Sequence, residues 1–174
     1  MKRTVFEFIK TIAFALLIAF ILTSVVKPTL VKGYSMYPTI EPYNYLIINK
    51  IPYLTGKPDY GDIIVFTANI YTEEAEGKNL IKRVIGLEGD TIEIKGGKVY
   101  RNGEALVEDY IFGDKTPGEM EKITVEENCV FVMGDNRPNS LDSRDSAIGQ
   151  IALEDIMGRA DLRLFPFDRI GVLE

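Results

Sequence analysis

From Thr11 to Val26 the chain reads TIAFALLIAFILTSVV, a run without a charge that has to leave water by entering a core or a bilayer. Its 16 residues fall short of the ~20 that a membrane-spanning helix needs. Extension backwards through Val5-Phe6-Glu7-Phe8-Ile9-Lys10 supplies the missing length, with Lys10 snorkelling toward headgroups and Glu7 near the interface. A cleavable secretory signal is the competing reading, because Lys2-Arg3 gives the basic start that such signals carry. The sequence that follows, Val26-Lys27-Pro28-Thr29-Leu30, lacks a small-x-small cleavage site, which favours a retained anchor. Lys2, Arg3 and Lys10 precede the run and Lys27 and Lys32 follow it. This modest bias points to a cytoplasmic N-terminus and an extracytoplasmic remainder.

The sequence therefore divides into a tip and anchor, 1–27, and one compact domain, 28–174, large enough for a core of its own. Short apolar runs punctuated by turn residues predict strands. These are Tyr45-Leu46-Ile47-Ile48, Asp62 to Phe66 after Pro58-Asp59-Tyr60-Gly61, Leu80 to Ile85, Val130 to Met133, and Ile156 to Leu164 before Pro166. Thr91 to Lys95 alternates and meets Gly96-Gly97, a hairpin turn, from which Lys98-Val99-Tyr100 returns before a second turn at Asn102-Gly103. A short helix is expected at Ala152 to Ile156. The polar stretches 69–79 and 112–123 read as exposed loops. Strands this dense make the domain all-β with antiparallel pairing.

Composition removes several kinds of chemistry. Net charge is −6, without a basic cluster, which argues against nucleic acid. The one cysteine, Cys129, has no internal disulfide partner and reads as a small core residue. Without histidine or a cysteine pair the common zinc sites are excluded, and no metal or other cofactor is expected. A hydrolytic serine here would also lack the usual imidazole base.

A neutral lysine is the obvious substitute. Ser35 sits in Gly33-Tyr34-Ser35-Met36-Tyr37-Pro38-Thr39, where glycine and proline expose a fixed turn, though a plain surface turn has the same composition. In the strand Leu80 to Ile85, Leu80, Lys82 and Val84 share one face and Ile81, Arg83 and Ile85 the other, so both charges stand among apolar neighbours. A free lysine titrates at ~10.4. Burial would disfavour its ammonium and allow it to take the Ser35 proton. The third cluster, Gly134 to Asp145, is nearly all polar and directly follows a buried strand. It is either a solvated loop or a brace, with Asp142 and Arg144 paired and Ser140 available to orient an amine.

The combination resembles the type I signal peptidases, the membrane-anchored serine–lysine endopeptidases that remove leader peptides from exported proteins. Four blocks carry the resemblance: Ser35-Met36-Tyr37-Pro38-Thr39, Gly61-Asp62-Ile63-Ile64-Val65, Lys82-Arg83-Val84-Ile85-Gly86 and Gly134 to Arg144. It is similar to the compact bacterial form, with a small insertion at 95–125. The resemblance implies Ser35 as nucleophile, Lys82 as general base and Ser140 as the hydroxyl that orients the lysine. It implies Asp142, Arg144, Arg83 and Asp135 as support, and Gly33, Met36 and Ile81 as substrate-binding. It further implies secreted preproteins with signal peptides, the lipid bilayer and the protein export machinery as partners, at the plasma membrane. Lysine at position 82 separates the chain from endoplasmic-reticulum relatives, which carry histidine there.

One position departs from the pattern. Some members of that family place a serine two residues before the nucleophile to bind the oxyanion, where this chain has Gly33. The Ser35 backbone N–H is then the donor that remains, and a second donor is not evident. Two other readings fit parts of the sequence. One is a self-cleaving repressor, which would need a DNA-binding domain in place of the apolar run. The other is a membrane-tethered β domain that binds extended peptides without catalysis.

Overall fold

A computed structural model describes residues 2–72 and 75–173, with the side chains of 2–5, 21–22, 69–72 and 75–78 outside the description. One helix, α1 (Lys2–Val25), is followed by strands β1 (Val26–Leu30) and β2 (Tyr45–Asn49), a single helical turn α2 (Pro52–Thr55), and β3 (Ile63–Thr72) and β4 (Ala75–Leu87). Next come β5 (Thr91–Lys95), β6 (Lys98–Arg101), β7 (Glu104–Ala105), β8 (Met120–Thr124) and β9 (Cys129–Met133). The chain ends through β10 (Ile151–Ala152), β11 (Ile156–Phe165) and β12 (Gly171–Val172). The expected class holds: antiparallel β-sheet behind one N-terminal apolar helix. Phe6–Val25 spans 20 residues at a mean hydropathy of 2.3 and is long and apolar enough to cross a membrane.

Two sheets form the domain. The larger runs β1-β2-β11-β3-β4-β9-β10, with β12 added to β11, and the smaller runs β7-β6-β5-β8. Gly96 and Gly97 both adopt positive φ at the β5–β6 turn, and Asn102 and Gly103 do so at the next, as two-residue hairpins require. The segment expected as an insertion, 95–125, supplies β6 to β8. Their partner β5 lies just ahead of it.

Three apolar clusters hold these layers. Val31, Met36, Ile40, Leu46, Ile48, Ile63, Val65 and Ala160 pack inside the curve of the larger sheet. Ile64, Phe66, Val84, Val130, Val132 and Ile151 fill its other side. Ile85, Ile92, Ile94, Val99, Val125, Phe131 and Met133 join the two sheets. Cys129 packs partly buried against this last cluster, where burial pushes its thiol up ahead of the smaller effects of Glu126, Asp155 and Glu88.

Four expectations need correction. The stretch 69–79 is no loop: β3 runs to Thr72 and β4 begins at Ala75, with Tyr71 opposite Glu76 and Thr72 opposite Ala75. Its residues 73–74 lie outside the described residues. A ladder is satisfied by backbone bonds, so a polar arm can extend it without an apolar face. Likewise 112–123 ends in β8, and its Thr116 is buried. Finally, Val26 is the first residue of β1 rather than the end of the anchor, and the 27/28 boundary falls within that strand. The short helix expected at Ala152 to Ile156 is a 3-10 turn at Leu153–Asp155.

Gly86 sits where the sheets meet. A Cβ there would lie 2.8 Å from Ile92 Cδ1 and 3.2 Å from Val125 Cγ2. Gly86→Ala should therefore overpack the junction and cost about 1–3 kcal/mol, read as a lower denaturant midpoint with an unchanged slope.

Candidate active site

β4 delivers two charged side chains into the interior on consecutive residues. Lys82 lies opposite Ile64 and Arg83 opposite Ile63, and they are only 2% and 3% exposed. Lys82 Nζ lies 2.7 Å from Ser35 Oγ and donates to Ile81 O at 2.9 Å. The pair is 47 residues apart in the chain and is brought together by the turn after β1. That turn is tied internally by Tyr37 N–H to Tyr34 O and Ile40 N–H to Met36 O.

The loop after β9 closes over the same turn. Asn136 N–H donates to Ser35 O at 3.0 Å, and Asn136 Nδ2 to Tyr34 O at 3.1 Å. Gly134 makes the close approach possible: a Cβ on it would come within 2.4 Å of Ser35 O and 2.2 Å of Ser140 Oγ. Arg83 donates through Nε and Nη2 to both oxygens of Asp135, at 2.9 and 2.8 Å, and the Thr39 hydroxyl donates to Asp135 as well. One buried fork thus joins β4, the serine turn and the loop.

Asp142 and Arg144 form the second fork, with Arg144 Nε and Nη2 each 2.8 Å from a carboxylate oxygen. Gly134 N–H adds a bond to Asp142 at 2.9 Å. Burial pushes the Asp142 carboxyl up, but the Arg144 hydrogen bonds and charge and the Gly134 N–H outweigh it and hold it below its ordinary value.

The remaining expected residues occupy distinct places. Met36 is fully buried beneath the serine turn and Ile81 half-buried at the edge of the same cluster. Gly33 faces open space, with nothing within 4 Å of the position a Cβ would take. Ser140 is near the site, with its Oγ buried and, among the described residues, without a hydrogen-bond partner of ordinary geometry.

Sequence reasoning missed Arg137. Its guanidinium is fully buried and donates to both carboxylate oxygens of Glu108, to Thr116 Oγ1 at 2.6 Å and to Gly134 O at 3.1 Å. Tyr110 covers Arg83 with its ring 4.1 Å away, and Phe112 meets Tyr37 edge-on at 5.1 Å. The segment 108–116 is therefore a strap across the outer side of the site. Its sequence signal is slight: Tyr110 and Phe112 at the head of a polar stretch.

A hydroxyl beside a buried amine, braced by two arginine–carboxylate forks, is an arrangement for nucleophilic chemistry without histidine. The family model described as signal peptidase, peptidase S26, matches residues 5–165. The chain belongs to that family. It is accordingly a serine peptidase, a hydrolase. Signal peptidase I P of Bacillus subtilis subsp. natto is 37% identical over 97% of this chain and 94% of its own length. Signal peptidase I of Leptolyngbya laminosa is 39% identical over 96% of this chain and 83% of its own. A crystal structure of signal peptidase I from Enterococcus faecalis is 32% identical, covers 59% of this chain and 96% of that one, and superposes with a TM-score of 0.49.

The Asp142 fork gives the fold an acid limit. A carboxyl held low stabilises the folded state fully above the unfolded value of ~3.9 and loses that contribution as pH falls through the lower folded value. Asp142→Asn should lower the melting temperature at neutral pH and flatten its decline in acid. A variant whose acid limb matches the parent's would remove this assignment.

Proposed function

We propose that the chain is a membrane-bound endopeptidase that removes N-terminal leader peptides from exported preproteins, with Ser35 as nucleophile and Lys82 as general base. The observation that carries this reading is the 2.7 Å contact between the buried Lys82 Nζ and the half-buried Ser35 Oγ. At 2% exposure an ammonium would lack the hydration that stabilises it, which favours the neutral amine a base must be. Ser35 donates its hydroxyl proton to Lys82 as Oγ bonds to the scissile carbonyl carbon. The Ser35 backbone N–H stabilises the oxyanion. Collapse forms an acyl-enzyme, and the Lys82 ammonium gives its proton to the departing amine. Water then attacks the ester while Lys82 takes its proton, and the ammonium returns that proton to Ser35 Oγ as the acyl C–O bond breaks.

Arg83, Asp135, Asp142 and Arg144 position the two loops, and Ser140 orients the amine once substrate fills the site. The tip and α1 form the anchor and the chain from β1 onward the catalytic unit, with the N-terminus cytoplasmic and the catalytic unit on the outer face of the plasma membrane. The leader lies extended beside the serine turn, bound mainly through its backbone, with Gly33, Met36 and Ile81 shaping small apolar pockets before the cut. The bilayer and the export machinery are the surroundings in which it meets its preproteins. No metal or cofactor takes part in these steps.

Ser35→Ala and Lys82→Ala should each abolish cleavage of a model preprotein, by at least about a thousandfold, while circular dichroism stays unchanged. Substantial activity in either would exclude the dyad. Activity should also fall on acidification, as proton uptake removes the Lys82 base. A rate that stays level from mildly acidic to alkaline pH would point to a different base.

A further inference from the structure

A pocket of about 240 Å³ opens beside the end of α1. Ile48, Val65 and Met157 form its floor. Lys27, Pro28 and Thr29 of β1, Lys50 after β2 and Asn79 of β4 form its rim. Among the described residues no carboxylate lines it, and neither Lys27 nor Lys50 makes an ion pair. Lys50 also donates its backbone N–H to Val25 O, the last carbonyl of α1.

Two strand edges open onto this pocket. Among the described residues, no strand pairs with the outer edge of β1, or with the second edge of β4 between Asn79 and Lys82, because β9 joins β4 only from Arg83. Both edges lead from the pocket to the dyad. Asn79 lies three residues before Lys82, and β1 runs on into the turn that carries Ser35.

An extended leader that reaches Ser35 along these edges must pass the pocket on its way from the bilayer. Inside lipid its backbone has to be helical, because only a helix satisfies its own polar groups there. Helix must therefore give way to strand at the membrane surface, the level at which α1 itself gives way to β1. At that point the leader presents four carbonyls without helical partners and the negative end of its dipole.

We infer that Lys27 and Lys50 form an upstream subsite that receives the carboxyl-terminal turn of the leader's apolar helix, its free carbonyls meeting the two ammonium groups over the apolar floor. This rests on the leader-cleaving function proposed above. Four residue steps, about 13 Å of extended chain, lead from Lys27 to Val31, so the subsite acts on a part of the leader remote from the cut bond.

The test uses the full chain in phosphatidylcholine vesicles and two substrates that share one cleavage sequence. One is a preprotein with its intact apolar leader, and the other a peptide that starts four residues before the cut. In Lys27→Ala/Lys50→Ala the ratio of kcat/KM for preprotein over peptide should fall about tenfold, mainly through KM, since each cation at a helix C-terminus contributes a few-fold. Lys27→Arg/Lys50→Arg should restore it. An unchanged ratio, or equal loss on both substrates, would overturn the subsite while the parent's cleavage of the preprotein keeps the function standing. A fall seen only when phosphatidylglycerol is added would assign the lysines to anionic headgroups and overturn it too. A parent chain that cuts neither substrate would remove the function and the subsite together.

Discussion

Placing a lysine amine against a serine hydroxyl out of water is the demand that the rest of this domain serves. β4 meets it by running between two apolar clusters, with Ile64, Phe66 and Val84 on one side and Ile63, Val65 and Ile81 on the other. A charge-bearing group there is costly unless every neighbour is fixed. The serine turn is therefore held from three directions: its own internal bonds, Asn136 from the loop after β9, and the Arg83–Asp135–Thr39 fork below it.

Three arginine–carboxylate pairs lie around Lys82 and Ser35: Arg83–Asp135, Asp142–Arg144 and Arg137–Glu108. Buried pairs of this kind add little net stability against an apolar replacement, yet losing one partner costs about 3–5 kcal/mol. Their worth here is geometric. A bidentate fork fixes both the distance and the plane of the groups it joins. Each pair ties a different piece of chain to the loop 134–144. Arg83 brings β4, Arg144 closes the loop on itself, and Arg137 brings the strap at 108–116. The smaller sheet thus reaches the site through that strap, while its own core lies behind Gly86 and Phe131.

Local rules carried the sequence reading a long way. Alternation in Leu80 to Ile85 put both charges indoors, and Gly96-Gly97 and Asn102-Gly103 marked real hairpins. They failed where long-range pairing decides the structure. Arg137 and Glu108 are 29 residues apart, and each by itself looks like an ordinary surface charge. Thr116 looked solvated because its neighbours are polar, but it is buried by the arginine it accepts from. β1 was overlooked because Val26-Lys27-Pro28-Thr29-Leu30 has no apolar rhythm. An edge strand tolerates proline and lysine, since half of its backbone groups face outward.

That edge strand determines how Ser35 stands relative to the apolar helix. α1 ends at Val25 and β1 starts at Val26, with no linker between them, and Lys50 N–H holds the last helical carbonyl. From there five paired residues lead to Val31, whose N–H is bonded to Asn44 O, and then directly to the serine turn. A flexible tether would let the site sample many heights above a bilayer. A paired strand allows only one, because its rise per residue is fixed and its register with β2 cannot slip without turning its side chains over. With α1 in lipid, the distance from the membrane surface to Ser35 becomes a property of the fold, and any chain that is cut must span it.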